Sequence, residues 1–276
     1  MLRNTFVHLP GVGYATERRL WKAGITTWDD FFESRKMVRL GPARTRLLEE
    51  GLSTSLDELG RRNHRFFQPL LPTRESWRAY GEFRDSVAFV DIETTGMESE
   101  RDEITVIGLY DGEKMRSYVV GDTERFPSDL ERYRLIITFN GSCFDLPFLR
   151  RAFPDLRLHQ IHIDLRYVLA RLGLKGGLKA IERRLGISRT ARTRDIQGWD
   201  AVFLWQRYEK GDEEALEILL EYNMEDVVNL KELMDQAYEA LRADCLSHGF
   251  RNYSLRDVQD SQRELPSTID RASLRA

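Results

Sequence analysis

Thiols are scarce in this chain: Cys143 and Cys245 are the only two. That is too few for a disulfide framework or a cysteine-built zinc site, and it suits a reducing cytoplasm. Long apolar runs are missing as well. No stretch reaches the roughly 18 uninterrupted apolar residues that a membrane-spanning helix needs, so no membrane association is expected. The opening residues, MLRNTFVHLPGVG, lack the extended apolar segment of a secretory signal. Strong net charge is absent too, at −3 overall, and on that figure alone a polyanionic partner is neither favoured nor excluded. No segment repeats.

What is present is an ordinary globular composition, 41% hydrophobic and 32% charged over 276 residues, enough for one large domain or two smaller ones. Charge is unevenly placed. Residues 1–84 carry 15 Lys/Arg against 10 Asp/Glu, whereas the remainder carries 27 against 35. A basic front joined to an acidic body fits a polyanion-binding element beside a cation-binding one, and fits equally an uneven solvated surface.

The front reads as short helices broken by turns. GYATERRLWKAG suits a helix closed by Gly24, and TTWDDFFES one started by a Thr cap. GPARTRLLEEG suits a helix opened by Pro42 and ended at Gly51, followed by a separate helix over STSLDELGRRNHRFF. The expected division is a helical module at 1–75, a linker at 76–85, an α/β domain at 86–245 and a polar tail at 246–276 that is expected to be disordered. Within the α/β part, strands are expected at 86–93, in a hairpin turning at Asp111-Gly112, at RLIITFN and at HQIHI. Helices are expected at DLPFLRRAF, 164–172, 177–185, 199–209 and 212–241. Three sequential strands followed by strand–helix alternation imply a mixed sheet flanked by helices.

Three acidic stretches stand out. In FVDIETTG, Asp91 and Glu93 are two apart on a strand, so both carboxylates leave the same face about 7 Å apart and repel. No Lys or Arg lies in that strand to separate them. A hard divalent cation with all-oxygen ligands would, and a strand end dipping into solvent is the alternative. In ITFNGSCFDLPFLRRAF, Asn140 ends a strand and Asp145 falls in the first turn of the next helix, as a cap or as a site residue. In LLEYNMEDVVNLKEL, Tyr222 and Asp226 are four apart and share one helix face, either as a site pair or as a core tyrosine beside a surface acid.

Taken in order, D-x-E-T-T-G, N-x-x-x-F-D and Y-x-x-x-D resemble the DEDD exonucleases of the ribonuclease H-like superfamily, in the subclass with tyrosine in the last motif. Residues 86–241 look closest to the YprB-type exonucleases, through FNGSCFDLPFLRRAF, IHIDLRYVLARLGLKGGLKAIERRLGI, DIQGWDAVFLWQRYEKGDEEAL and YNMEDVVNL. That type commonly carries His where this chain has Tyr222. The resemblance implies a ribonuclease H-like α/β fold and a 3′→5′ exonuclease acting on single-stranded nucleic acid; DNA is expected over RNA, although the motifs themselves do not separate the two. It implies two Mg²⁺ or Mn²⁺ ions held by Asp91, Glu93, Asp145 and Asp226, with Tyr222 orienting the attacking water. An inert nuclease fold serving as a nucleic-acid-binding scaffold is the alternative.

For holding the strand, Asn140 at the site and Arg189, Arg192 and Arg194 on a loop are the candidate contacts, with Phe144 and Trp199 as stacking candidates that would otherwise be core. LPGVGYATERRLWKAGI is similar to a helix-hairpin-helix, in which Gly11 and Gly13 would let backbone N–H groups grip a phosphate, although the residues before the turn leave little room for a first helix.

Overall fold

A computed structural model of the chain describes residues 1–34 and 40–248; the expected tail from 249 onward lies outside the described residues. Its centre is a five-stranded sheet in the order β3-β2-β1-β4-β5. These are β1 (Val87–Thr94), β2 (Ile104–Tyr110), β3 (Met115–Val119), β4 (Leu135–Thr138) and β5 (Ile161–Asp164). β1, β2 and β3 pair antiparallel, while β4 and β5 run parallel to β1, so the expected mixed sheet is what forms. β2 is buried at every residue, as a strand covered on both faces must be; β3, at the edge, is largely half-exposed. The hairpin turns where Gly112 takes φ +97°, and the Asp111 carboxylate accepts the Glu113 and Lys114 amides at 3.1 and 2.8 Å.

The front is helical: α1 (Tyr14–Lys22), α2 (Trp28–Ser34), α3 (Pro42–Gly60), α4 (His64–Phe67) and α5 (Tyr80–Phe83). The sheet is flanked by α6 (Phe126–Leu130), α7 (Asp145–Ala152), α8 (Leu165–Arg171), α9 (Leu178–Leu185), α10 (Gly198–Tyr208) and α11 (Glu213–His248). Two expectations are corrected. Gly51 does not end a helix, because α3 runs through it. A Cβ there would come within 2.8 Å of the Leu9 side chain, so this glycine serves a close approach rather than a stop. The last helix also continues past 241, with Leu241 and Cys245 buried along it. Among the described residues no helix is long and apolar enough to cross a membrane, and Cys143 and Cys245 are both unpaired.

One apolar core joins Phe6, Trp28 and Phe31 of the front, through Trp77 and Phe83, to Leu230, Leu233 and Met234 of α11. Residues 73–86 are helical turns lying in this core, and the Tyr80 hydroxyl donates to Asp235 on α11 at 2.7 Å. Arg78, wholly buried, crosses the same region: its Nη1 donates to Glu17 at 2.8 Å and its Nε to Glu75 at 2.7 Å. Glu17 in turn accepts the Phe6 and Val7 amides at 2.6 and 3.1 Å. Removing one member of such a set strands the others without water. Arg78→Met is therefore expected to cost about 3–5 kcal/mol of stability, read as a shifted midpoint in urea unfolding.

Candidate active site

β1 divides its side chains by strict alternation. Val87 and Phe89 enter the core under α11, whereas Ala88, Val90 and Ile92 enter the core under α7. Asp91 and Glu93 continue the first set and so face α11. β1 and β4 are paired only from Val87↔Leu135 to Phe89↔Ile137. Beyond that register the two parallel strands part, and a crevice opens at their carboxyl ends, where open α/β sheets accept ligands.

Asp145 reaches this crevice from the turn after β4. Phe144, not Asp145, occupies the N-cap position of α7, and no side-chain cap bond forms. Asp145 is the first helical residue, 2% exposed, and its Oδ1 has no hydrogen-bond partner. Asp145 is therefore not the N-cap residue of α7. The turn is tight: Asn140 sits at φ +67°, and a Cβ on Gly141 would fall 2.2 Å from Thr138 Oγ1. Asp164, at the end of β5, holds the turn by accepting the amides of Asn140 at 2.8 Å and Ser142 at 3.1 Å, and it caps α8 through the Arg166 amide at 3.1 Å. Asn140 itself lines the cleft and accepts from Arg166.

α11 supplies the third contribution. Tyr222 and Asp226 are buried on the face turned toward the sheet, and Asn223, buried as well, reaches β1. Asn223 Nδ2 donates to the Asp91 carboxylate at 3.0 Å and to its main-chain oxygen at 3.3 Å. This contact needs Gly108 on β2, because a Cβ there would lie 2.2 Å from Asn223 Oδ1 and 3.1 Å from Val227. The result is a cluster in which Asp91, Glu93 and Asp226 each offer an oxygen within 4.8 Å of the others. Asp145 is outside that triplet but lines the same cleft with Tyr222, Phe139, Phe144 and Val202.

Crowding acids away from water makes their ionisation costly. Burial, then the charges of Asp226, Asp145 and Glu93, hold Asp91 far above the usual carboxylate range. Burial and then Asp226 do the same to Glu93. Burial pushes Asp145 to about 7, against an offset from the main-chain amides of Asp145 and Ile92. Burial raises Asp226, which Arg189 pulls back down. The Tyr222 hydroxyl is raised by burial and then by Asp226 and Glu93, so it stays protonated at neutral pH.

The other expected contacts are distributed differently. Arg189 is buried rather than on a loop surface: it donates to both oxygens of Glu182 at 2.7 Å and to Asp226. Arg192 is exposed and pairs with Glu214 and Glu217 on α11 at 3.2 and 3.4 Å, while Arg194 is exposed. Lys179 is a further cation near the acids, its ammonium 4.1 Å from the centre of the Tyr222 ring. Gly11, at φ +74°, and Gly13, which precedes α1, form an exposed turn of the front whose first helix is only the single turn Leu2–Asn4. Trp199 is not core; it is 62% exposed, and Phe203, one turn along α10, is 58% exposed. Asp164, Asn223 and Gly108 carried no sequence signal of a site, since each acts by supporting another residue.

The family described as RNase_H superfamily matches residues 88–238, more than half of the chain and the whole of the acidic cleft. This chain belongs to the ribonuclease H superfamily. A protein of Methanocaldococcus jannaschii described as uncharacterised is 30% identical over 166 residues, covering 53% of this chain and 92% of that one. The solved family B DNA polymerase of the hyperthermophilic archaeon Pyrobaculum calidifontis is similar over 62% of this chain, at 18% identity and a TM-score of 0.43. This superfamily member spans only 26% of the polymerase chain.

Ribonuclease H superfamily nucleases use divalent metals, and the donor set here suits one. It is all carboxylate oxygen, three acids converge, and Asp145 presents a buried oxygen that nothing in the protein satisfies. A carboxyl with a raised folded pKa binds its proton more tightly in the folded chain. Its contribution to stability is full below the unfolded value of 3.8 and is lost as pH rises through about 7. Metal-free protein is thus expected to lose thermal stability between about pH 4 and pH 8, and Asp145→Asn to flatten that loss by on the order of a few kcal/mol. Thermal melts across that range in chelator check both.

Proposed function

We propose that this protein is a divalent-metal-dependent 3′→5′ exonuclease that hydrolyses single-stranded nucleic acid, DNA in preference to RNA. The observation that carries the reading is the arrival of Asp91 and Glu93 from β1, Asp145 from the β4–α7 turn and Asp226 from α11 in one cleft. Those four acids would hold two Mg²⁺ or Mn²⁺ ions. When bound, such a pair supplies an acidified water and a clamp on the attacking and leaving oxygens. The direction of attack is carried over by analogy with the DEDD family that the motifs resemble, and the assignment to its tyrosine-bearing subclass, close to the YprB type, rests on that same resemblance.

The remaining roles belong to side chains of the cleft. Tyr222 keeps its proton at neutral pH, so it orients the attacking water by hydrogen bonding and does not deprotonate it. Asn223 fixes the Asp91 carboxylate. Asn140 stands at the cleft wall, where it can meet a sugar or phosphate. Trp199 and Phe203, both exposed on α10 beside cleft residues Gly198 and Val202, offer a face for unpaired bases. Arg194, which is exposed, is proposed as a contact to the backbone phosphates. The Gly11–Gly13 turn, with the first amides of α1 behind it, is proposed as a second phosphate contact in a helical module over 1–75.

Labelled oligonucleotides incubated with Mn²⁺, with and without chelator, test the activity. A ladder shortening from the 3′ end is expected, and persistence of full-length strand would favour a non-catalytic binding protein. Asp91→Asn and Asp226→Asn are expected to abolish hydrolysis while the circular dichroism spectrum is unchanged. Tyr222→Phe is expected to slow hydrolysis more than it weakens binding of the strand. Trp199→Ala should weaken single-strand binding by about 1–3 kcal/mol, as expected for one lost base stack, in titrations done without metal.

A further inference from the structure

Of the four acids in the cleft, Asp226 is the one that a guanidinium contacts among the described residues. Arg189 arrives there by a specific route. α9 ends at Gly186, whose φ of +76° reverses the chain and returns it over α11. Ser188 and Arg189 follow, and Arg189 lies across Glu182 with both of that residue's oxygens engaged at 2.7 Å. The Nη2 group that donates to Glu182 Oε1 donates also to Asp226 Oδ1. Asn229, one turn beyond Asp226, braces the arrangement by donating to Glu182 Oε1 at 2.8 Å. The guanidinium side chain is 4% exposed, and its carbon lies 5.6 Å from the Tyr222 ring centre. Glu182 and Asn229 therefore fix a permanent positive charge against one acid of the cleft from the protein side. Asp226 feels this charge more strongly than it feels Glu182.

We propose that Arg189 is a positioning residue that acts through Asp226 as a fixed internal cation and thereby sets the cleft's affinity for divalent ions. The inference rests on the metal-dependent reading of the site. The guanidinium spends part of the Asp226 charge before any ion arrives, so ions bind less tightly than four free carboxylates would allow. Glu182 governs how much is spent, since it draws the guanidinium charge back toward α9. The pair makes affinity adjustable without altering a ligand.

The test is the dissociation constant for Mn²⁺ in nucleic-acid-free protein, measured by calorimetry and by the loss of free-ion paramagnetic resonance signal. Glu182→Gln leaves Asp226 as the charged partner of Arg189 in the cleft, and binding is expected to weaken by on the order of tenfold. The double variant Glu182→Gln/Arg189→Met removes both charges together, which spares the fold an orphaned buried ion, and binding is expected to tighten by on the order of tenfold. Arg189→Lys, which keeps the charge, is expected to stay near the wild-type value. Opposite shifts for the single and double variants support the proposal, because damage to the fold would move both the same way. Shifts in one direction, or none, overturn it. Wild-type binding that Asp91→Asn abolishes but that ignores Arg189 would overturn this inference alone. Absence of Mn²⁺ binding in every variant would remove the metal-dependent reading along with it.

Discussion

Four carboxylates, three of them buried and Asp91 half-buried, share one crevice, and the surrounding structure is organised around holding them there. Each is forced in by an element whose other side chains have no choice. Asp91 and Glu93 are carried by the alternation that buries Val87 and Phe89 on one face and Ala88, Val90 and Ile92 on the other. Asp226 is carried by a helix whose Val227, Leu230 and Leu233 are committed to the core. Apolar burial pushes the acids together, and their mutual repulsion is the force a bound cation relieves.

Around this centre the polar side chains form a supporting set rather than a binding surface. Asn223 steadies Asp91, Asp164 holds the turn that delivers Asp145, and the Glu182–Arg189 pair backs Asp226. Each joins two elements distant in sequence, so the geometry depends on several helices docking correctly. The front of the chain takes part in that docking: its aromatic residues share one core with α11, and buried Arg78 ties α1 to the segment leading into β1.

Much of this was legible from local pattern. Strand order in sequence, the Asp111-Gly112 hairpin and the helix carrying Tyr222 and Asp226 all follow from periodicity and turn chemistry, which act over a few residues. Asp91, Glu93 and Asp226 stood out because a carboxylate in an apolar strand or on a core-facing helix contradicts its surroundings, and Asp145 because of its place at a strand-to-helix turn. What escaped depended on distance along the chain. Gly51 has the local look of a helix stop, and only the approach of Leu9 explains its place within α3. Arg189 has the look of a loop cation, and only Glu182 and Asp226, brought together by folding, make it an interior one. Trp199 has the look of core, yet α10 turns it outward.

Gly108 carries this dependence to its extreme. It has no functional group, it lies on a strand whose every residue is buried, and its contribution is an empty volume that lets α11 settle onto β2 with Asn223 against Asp91. In a mutational survey such a position would score alongside the acids themselves, and an inventory of reactive side chains would pass over it. In this cleft, the room left by an absent methyl group is as much a part of the chemistry as the oxygens it allows to meet.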